Sequence, residues 1–173
     1  MMHLFARQDP ERMRMKENIG IKRLDHVCWA VHHIDDVLPM LTELMGMTVE
    51  GRFESPEVGF RGVGLRVPGG TGHFEVLEPY DETSYLHRFL EERGPGLHHV
   101  TFEVKDAERA AKAIKAFGIE PFGGVQRGHG WAETFIHPKD SGGVLFQFSV
   151  EEEPHVHGPD HDHSHTHDIE QTK

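Results

Sequence analysis

Four side chains with metal-ligand chemistry recur at matching places in two halves of this chain. Leu24-Asp25-His26-Val27 returns as Leu97-His98-His99-Val100 at an offset of 73 residues. His73-Phe74-Glu75-Val76 returns as Leu145-Phe146-Gln147-Phe148 at an offset of 72. Each half therefore offers one imidazole and one oxygen donor. A duplicated unit with His26, Glu75, His99 and Gln147 at equivalent positions would gather all four about a pseudo-twofold axis. Two imidazoles and two oxygens suit a divalent transition-metal ion, and a carboxylate in such a shell is also a proton acceptor.

The elements that must carry these groups repeat as well. Residues 21–31 alternate and are rich in β-formers, which predicts a strand with Val27, Trp29 and Val31 on one face and His26, Cys28 and Ala30 on the other. Asp35 or Asp36 can cap a helix running to about Leu44, and Gly46 stops it. Strands over 48–53, 61–67 and 72–77 follow, separated by Pro56, Gly59 and Pro68-Gly69-Gly70. A connecting helix over 84–93 ends at Gly94-Pro95-Gly96. The order then recurs: a strand over 97–104, an alanine-rich helix capped by Asp106 and stopped by Gly118, and strands near 120–125, 131–137 and 144–150. The fold class is α+β, with paired βαβββ modules over 21–80 and 97–150 forming one cup-shaped mixed sheet.

Strand alternation sets the direction of each candidate ligand. Val144, Phe146 and Phe148 form an apolar face, so Gln147 points the other way, and Phe74 and Val76 leave Glu75 opposite in the same manner. Val100, Phe102 and Val104 leave His99 on the polar face with Thr101. All four ligands are expected on the sheet face that the helices leave open.

Composition bounds the rest. With 173 residues and 36% hydrophobic side chains, the chain suits one compact domain or two small half-domains sharing a core. No run of 18 apolar residues exists, so no spanning helix and no membrane partner is expected. A net charge of -11 argues against nucleic acid as a partner. The single cysteine, Cys28, cannot form an internal disulfide, which fits a reducing compartment and a cytoplasmic location. The near-neutral arm over 1–20 lacks the apolar centre of a secretory signal.

Residues 21–150 resemble the vicinal oxygen chelate superfamily, which includes glyoxalase I, methylmalonyl-CoA epimerase, extradiol dioxygenases and antibiotic-resistance proteins. The strings that carry the likeness are Phe74-Glu75-Val76-Leu77-Glu78-Pro79, the run from Phe89 through Gly94-Pro95-Gly96-Leu97-His98-His99-Val100, and His137-Pro138-Lys139 before Gly143-Val144-Leu145. They are most similar to the epimerase branch. The resemblance implies a cup-shaped glyoxalase-like fold, a homodimer, and one divalent ion (Co, Ni, Zn, Mn or Fe) on His26, Glu75, His99 and Gln147. It also implies an isomerase or lyase acting on a small carbonyl substrate, such as a CoA thioester, through a metal-stabilised enolate.

Two departures stand out. The epimerase pattern places its glutamate ligand on the last strand and a glutamine earlier, so the oxygen ligands are exchanged here between Glu75 and Gln147. The pattern also has a glutamate base on the third strand, where this chain has Phe60 ahead of Arg61-Gly62-Val63. Another group must then move the α-proton. Glu75 can serve by leaving the ion, as ligand glutamates are thought to do in glyoxalases. His73 and Glu133 are further candidates, although Glu133 beside Trp131 also reads as a plain exposed acid. Two alternatives stay open: a non-catalytic small-molecule or metal-binding protein of the same fold, and an extradiol dioxygenase, which Gln147 disfavours.

After residue 150 the composition changes. His155, His157, His161, His163, His165 and His167 are interleaved with Asp160, Asp162 and Asp168, and the few apolar residues there cannot drive folding. The stretch 151–173 is expected to be disordered, and its spacing suits binding of additional Ni or Zn.

Overall fold

The computed structural model describes residues 18–70, 72–128 and 130–151. Most of the N-terminal arm and nearly all of the histidine-rich stretch therefore lie outside the described residues. Both βαβββ units are present. The first runs β1 (Ile21–Ala30), α1 (Ile34–Pro39), β2 (Thr48–Ser55), β3 (Phe60–Arg66) and β4 (His73–Pro79). Helix α2 (Leu86–Arg93) connects it to the second, which runs β5 (Gly96–Val104), α3 (Ala107–Ala116), β6 (Phe122–Gly128), β7 (Trp131–Ile136), the short α4 (Pro138–Ser141) and β8 (Leu145–Glu151).

The eight strands form one sheet in the order β2-β3-β4-β1-β5-β8-β7-β6. Strands β1 and β5 meet antiparallel at its centre, and each takes the last strand of its own module as a parallel neighbour. His26 lies opposite Thr101 across the central seam, and Cys28 lies opposite His99. The sheet is thus symmetric about the β1–β5 line, with the repeated tetrapeptides beside it.

Two-residue periodicity decides which side chains reach each face. Val31, Val63, Leu65 and Val76 pack with Ile34 and Leu41 of the α1 region, and Trp29 and Phe74 flank them. Val104 and Phe148 pack on Ala110 and Ile114 of α3. Asp106 caps α3 by accepting from the amides of Glu108 and Arg109 at 2.9 and 3.4 Å, as its sequence position predicts.

Three expectations need correction. Neither Asp35 nor Asp36 caps α1; both lie in its first turn after His33. The amide of Ile34 instead donates to Glu78 of β4 at 2.6 Å, a partner 44 residues away that no local motif reveals. The α-helix stops at Pro39, which has no N–H to offer, and residues 40–44 form a π-helical turn with Met45 N bonded to Met40 O. The third correction concerns the open face. Helix α2 covers one end of it, burying Cys28, Ala30 and Leu77 against Leu86 and Leu90. The cup therefore has a closed floor.

Candidate active site

A cavity of about 480 Å³ opens above that floor and draws lining residues from all eight strands. His26 projects into it from β1, Glu75 from β4, His99 from β5 and Gln147 from β8. Glu133 enters from β7 between Trp131 and Phe135. Phe53, Phe60 and Phe122 supply apolar walls, while Tyr85 and His98 line the end nearest α2. A second cavity of similar volume, beside α3, is lined by Asn18, Ile21, Ile114, Phe117 and Ile136 among others, with no titratable side chain. All four candidate ligands line the first.

Its polar groups form a connected chain. The Nε2 atoms of His26 and His99 stand 3.3 Å apart, and Glu75 Oε2 lies 3.5 Å from His26 Nε2. Thr101, fully buried on β5, has its hydroxyl 2.9 Å from the same His26 nitrogen and donates to Gln147 Oε1 at 2.6 Å. Gln147 Nε2 in turn donates to Glu133 Oε2 at 2.5 Å. The run Glu75–His26–Thr101–Gln147–Glu133 thus links a carboxylate of one module to a carboxylate of the other. Glu75 meets the imidazole pair at His26, and Gln147 meets it through Thr101.

Burial tunes these groups. Desolvation pushes the Glu75 carboxyl above its ordinary range, with the His26 ring pulling the other way. Glu133 is raised for the same reason, offset by the Gln147 bond and by His26. Burial holds the His99 ring down to about 3 and that of His98 to about 4. Both imidazoles are therefore neutral at physiological pH, the form in which a ring nitrogen binds a metal.

The donor set fits a divalent cation. Two nitrogens at about 2.0–2.1 Å from one ion stand about 3–3.5 Å apart, which is the separation within His26–His99 and His26–Glu75. Thr101 has one proton to share between Gln147 Oε1 and the nearest His26 nitrogen, so the centre is rich in lone pairs. A second donor cluster among the described residues overlaps this one at His99: ligand atoms of Cys28, His98 and His99 lie within 4.8 Å of one another. We read it as the rear of His99. The Cys28 thiol is fully buried, and desolvation raises its pKa, which keeps it a protonated and poor ligand.

His73 and Glu133, both offered as candidate bases, separate here. The His73 ring is exposed at the start of β4, with Nδ1 2.5 Å from Glu50 Oε2, and does not line the cavity. Glu133 is half-buried inside it rather than exposed.

A model of the glyoxalase/bleomycin resistance protein/dioxygenase superfamily matches residues 25–135. The chain belongs to this superfamily. Within it, the ethylmalonyl-CoA/methylmalonyl-CoA epimerase of Cereibacter sphaeroides is 30% identical over 131 residues, covering 73% of this chain and 96% of its own. The methylmalonyl-CoA epimerase of Mycobacterium tuberculosis superposes with a TM-score of 0.69 at 28% identity, covering 83% of this chain and 96% of its own. A substituted form of the Streptomyces coelicolor methylmalonyl-CoA epimerase, in complex with 2-nitronate-propionyl-CoA, superposes at 0.67 with 30% identity, covering 76% and 99%. This superfamily member is an epimerase-like enzyme of glyoxalase-like fold.

Sequence reasoning put Thr101 on the polar face without giving it a role, and it missed Asp25 and His98. Thr101 follows His99 by two residues on the same strand face, so alternation alone places it there. Asp25 and His98 gave a different signal, because they occupy the same place in the repeated tetrapeptide.

Proposed function

We propose that this enzyme epimerises the carbon between two carbonyl groups of a methylmalonyl-type CoA thioester, with a divalent ion held by His26, Glu75, His99 and Gln147. The observation that carries this reading is the pair of half-buried carboxylates, Glu75 and Glu133. They come from opposite sides of the seam and are joined through His26, Thr101 and Gln147. The curated relatives supply the substrate class, since methylmalonyl-CoA and ethylmalonyl-CoA appear in their names.

Inversion of a C–H centre requires removal of a proton from one face and return of a proton to the other. One carboxylate must be ionised while its counterpart is protonated. Both have pKa values raised by burial, which brings that state nearer to neutral pH. A bound divalent ion would draw charge from the substrate carbonyl and acidify the adjacent C–H. Gln147, tied between Thr101 and Glu133, keeps the second carboxylate aimed into the cup. The aromatic walls offer the substrate an apolar surface to pack on, with the two acids facing the same cavity.

The test is proton wash-in. The full chain, loaded in turn with Co²⁺, Ni²⁺, Mn²⁺ or Zn²⁺, is incubated with methylmalonyl-CoA in deuterated water, and deuterium at the α-carbon is read by mass spectrometry. Incorporation above the chelator-treated control is expected. No incorporation with any ion would overturn the reading.

A further inference from the structure

Each candidate metal-binding histidine has its other ring nitrogen engaged by the residue just before it. His26 Nδ1 lies 2.9 Å from Asp25 Oδ2, and His99 Nδ1 lies 2.8 Å from His98 Nδ1. Consecutive residues of a regular strand point to opposite faces, so neither contact should exist in an unbroken ladder. Both exist because the ladder breaks beside each histidine. Between Leu24↔Phe102 and His26↔Thr101, Asp25 is an extra residue on β1; between Cys28↔His99 and Trp29↔Leu97, His98 is an extra residue on β5. The bulges map onto one another under the 73-residue repeat, residue for residue. A bulge re-aims the side chain it releases, and here both released groups turn onto a histidine Nδ1.

The released groups are themselves held. Arg23 binds Asp25 Oδ1 at 2.7 Å and is anchored across the seam by Glu103, which leaves Asp25 Oδ2 for His26. The His98 ring packs edge-on against Phe89 of α2 with centroids 4.9 Å apart, and the Tyr85 ring stands 5.9 Å from it. The two partners differ in kind: one is a carboxylate, the other an imidazole.

We propose that Asp25 and His98 are positioning residues that accept a hydrogen bond from Nδ1–H of His26 and His99, fixing both rings in the tautomer whose Nε2 lone pair faces the cup. A metal-ligating histidine is commonly oriented in this way by a partner on its distal nitrogen. The carboxylate makes the stronger bond, so the two ligands are unequal, with His26 held more firmly than His99. This deepens the metal-site reading, and its first readout, the tautomers, is taken without a metal.

The test reads tautomers directly. In the ¹⁵N-labelled, chelator-treated full chain near neutral pH, long-range proton–nitrogen correlation spectra distinguish Nδ1–H from Nε2–H, with His26→Gln and His99→Gln assigning the signals. Both rings are expected as Nδ1–H. Asp25→Leu should move only His26 toward Nε2–H, and His98→Leu only His99, while Asp25→Asn and His98→Asn, which keep an acceptor, should restore the native form. Affinity for one added equivalent of Zn²⁺ at the cup, measured against His26→Ala to subtract binding elsewhere, should fall about 10- to 100-fold in the leucine variants. Nε2–H at either histidine in the unsubstituted chain would overturn the proposal, even if a leucine variant fails to fold. So would leucine variants with native tautomers. Shifted tautomers with unchanged Zn²⁺ affinity would support the positioning role and sink the metal reading.

Discussion

Gln147 donates through its amide nitrogen to the Glu133 carboxylate at 2.5 Å, and this fixes which end of the amide faces the centre of the cup. Its oxygen is left toward Thr101 and His26. The bond also gives a physical reason for the exchange of the two proposed oxygen ligands between the halves. A glutamate at 147 would set two carboxylates against each other with no donor between them. Glu133 and Gln147 belong together, and the carboxylate of the proposed ligand set resides on the other module, at Glu75.

Gln147→Glu is therefore expected to destabilise the fold, and adding Glu133→Gln should recover part of the loss by re-forming the bond with reversed polarity. A double-mutant cycle by urea denaturation should show a coupling of about 1–3 kcal/mol. A coupling within experimental error of zero would show that the two side chains act independently.

Thr101→Val keeps shape but removes the hydroxyl that joins His26 to Gln147. Because Thr101 is fully buried, the acceptor it leaves unpaired should cost about 1–3 kcal/mol in thermal or urea unfolding. Thr101→Ser should recover most of that. Equal stability of the valine and serine variants would mean that the chain of bonds through Thr101 contributes nothing.

The quartet was legible because a two-residue period and a 73-residue repeat are both local properties of a string. Val144, Phe146 and Phe148 announce the face that Gln147 must avoid, and the repeat does the same for His26 and His99. What stayed hidden depended on contacts between distant segments. Glu133 sits on β7 between Trp131 and Phe135, and only the curl of the sheet shows that this face lines the cup. The bulges at Asp25 and His98 are register breaks between two strands, which alternation along one strand cannot show. Helix α2 was expected from its pattern, but nothing in that pattern says it would close one end of the open face.

The wall opposite Glu133 depends on a close approach of two strands. A methyl group at Gly62 of β3 would stand 2.5 Å from Phe53 Cζ and 2.7 Å from Leu77 Cδ2. Gly62→Ala should push Phe53 into the cavity, lower kcat/KM for a thioester substrate, and destabilise by about 1–3 kcal/mol. Phe53→Ala in the same chain should relieve both effects. Failure of that second substitution to restore activity would place the damage elsewhere, at Leu77 or in the β3 backbone.

Acid should loosen the chelator-treated protein in a defined window. His98 and His99 have pKa values held by burial at about 4 and about 3, below the ordinary 6.5. Their stabilisation is fully present above 6.5 and is lost as pH falls toward those folded values, because the unfolded chain takes up the protons first. Glu75 and Glu133 act with the opposite sign. Raised carboxyl pKa values mean that ionisation disfavours the fold, and protonation at low pH relieves this. The urea midpoint should therefore fall from pH 6.5 toward about 3, gently while the two carboxyls take up their protons and more steeply below the ordinary carboxylate range, until His98 and His99 protonate in the fold. His98→Asn should shrink the fall by roughly one proton's worth of slope. A midpoint independent of pH across the window would contradict the burial of these rings in the free protein.

The last expectation concerns the division of labour between the two acids. If Glu75 and Glu133 serve opposite faces of the substrate carbon, each alone can exchange the α-proton of only one stereoisomer, and inversion needs both. Glu133→Gln preserves size and leaves the four proposed ligands unchanged, so Zn²⁺ or Co²⁺ affinity should stay close to native. Epimerisation should fall roughly 10²-fold or more, while deuterium wash-in survives for one enantiomer of methylmalonyl-CoA and disappears for the other. Glu75→Gln should show the mirror pattern, with the amide oxygen still able to coordinate the ion but unable to accept a proton. Stereochemically resolved wash-in separates this from simple loss of the site, which would abolish exchange for both enantiomers. If Glu133→Gln exchanges both at the native rate, Glu133 is no base, and its role reduces to holding Gln147. If both substitutions spare the same enantiomer, the two carboxylates share one face, and the proton acceptor for the other face is a group outside this pair.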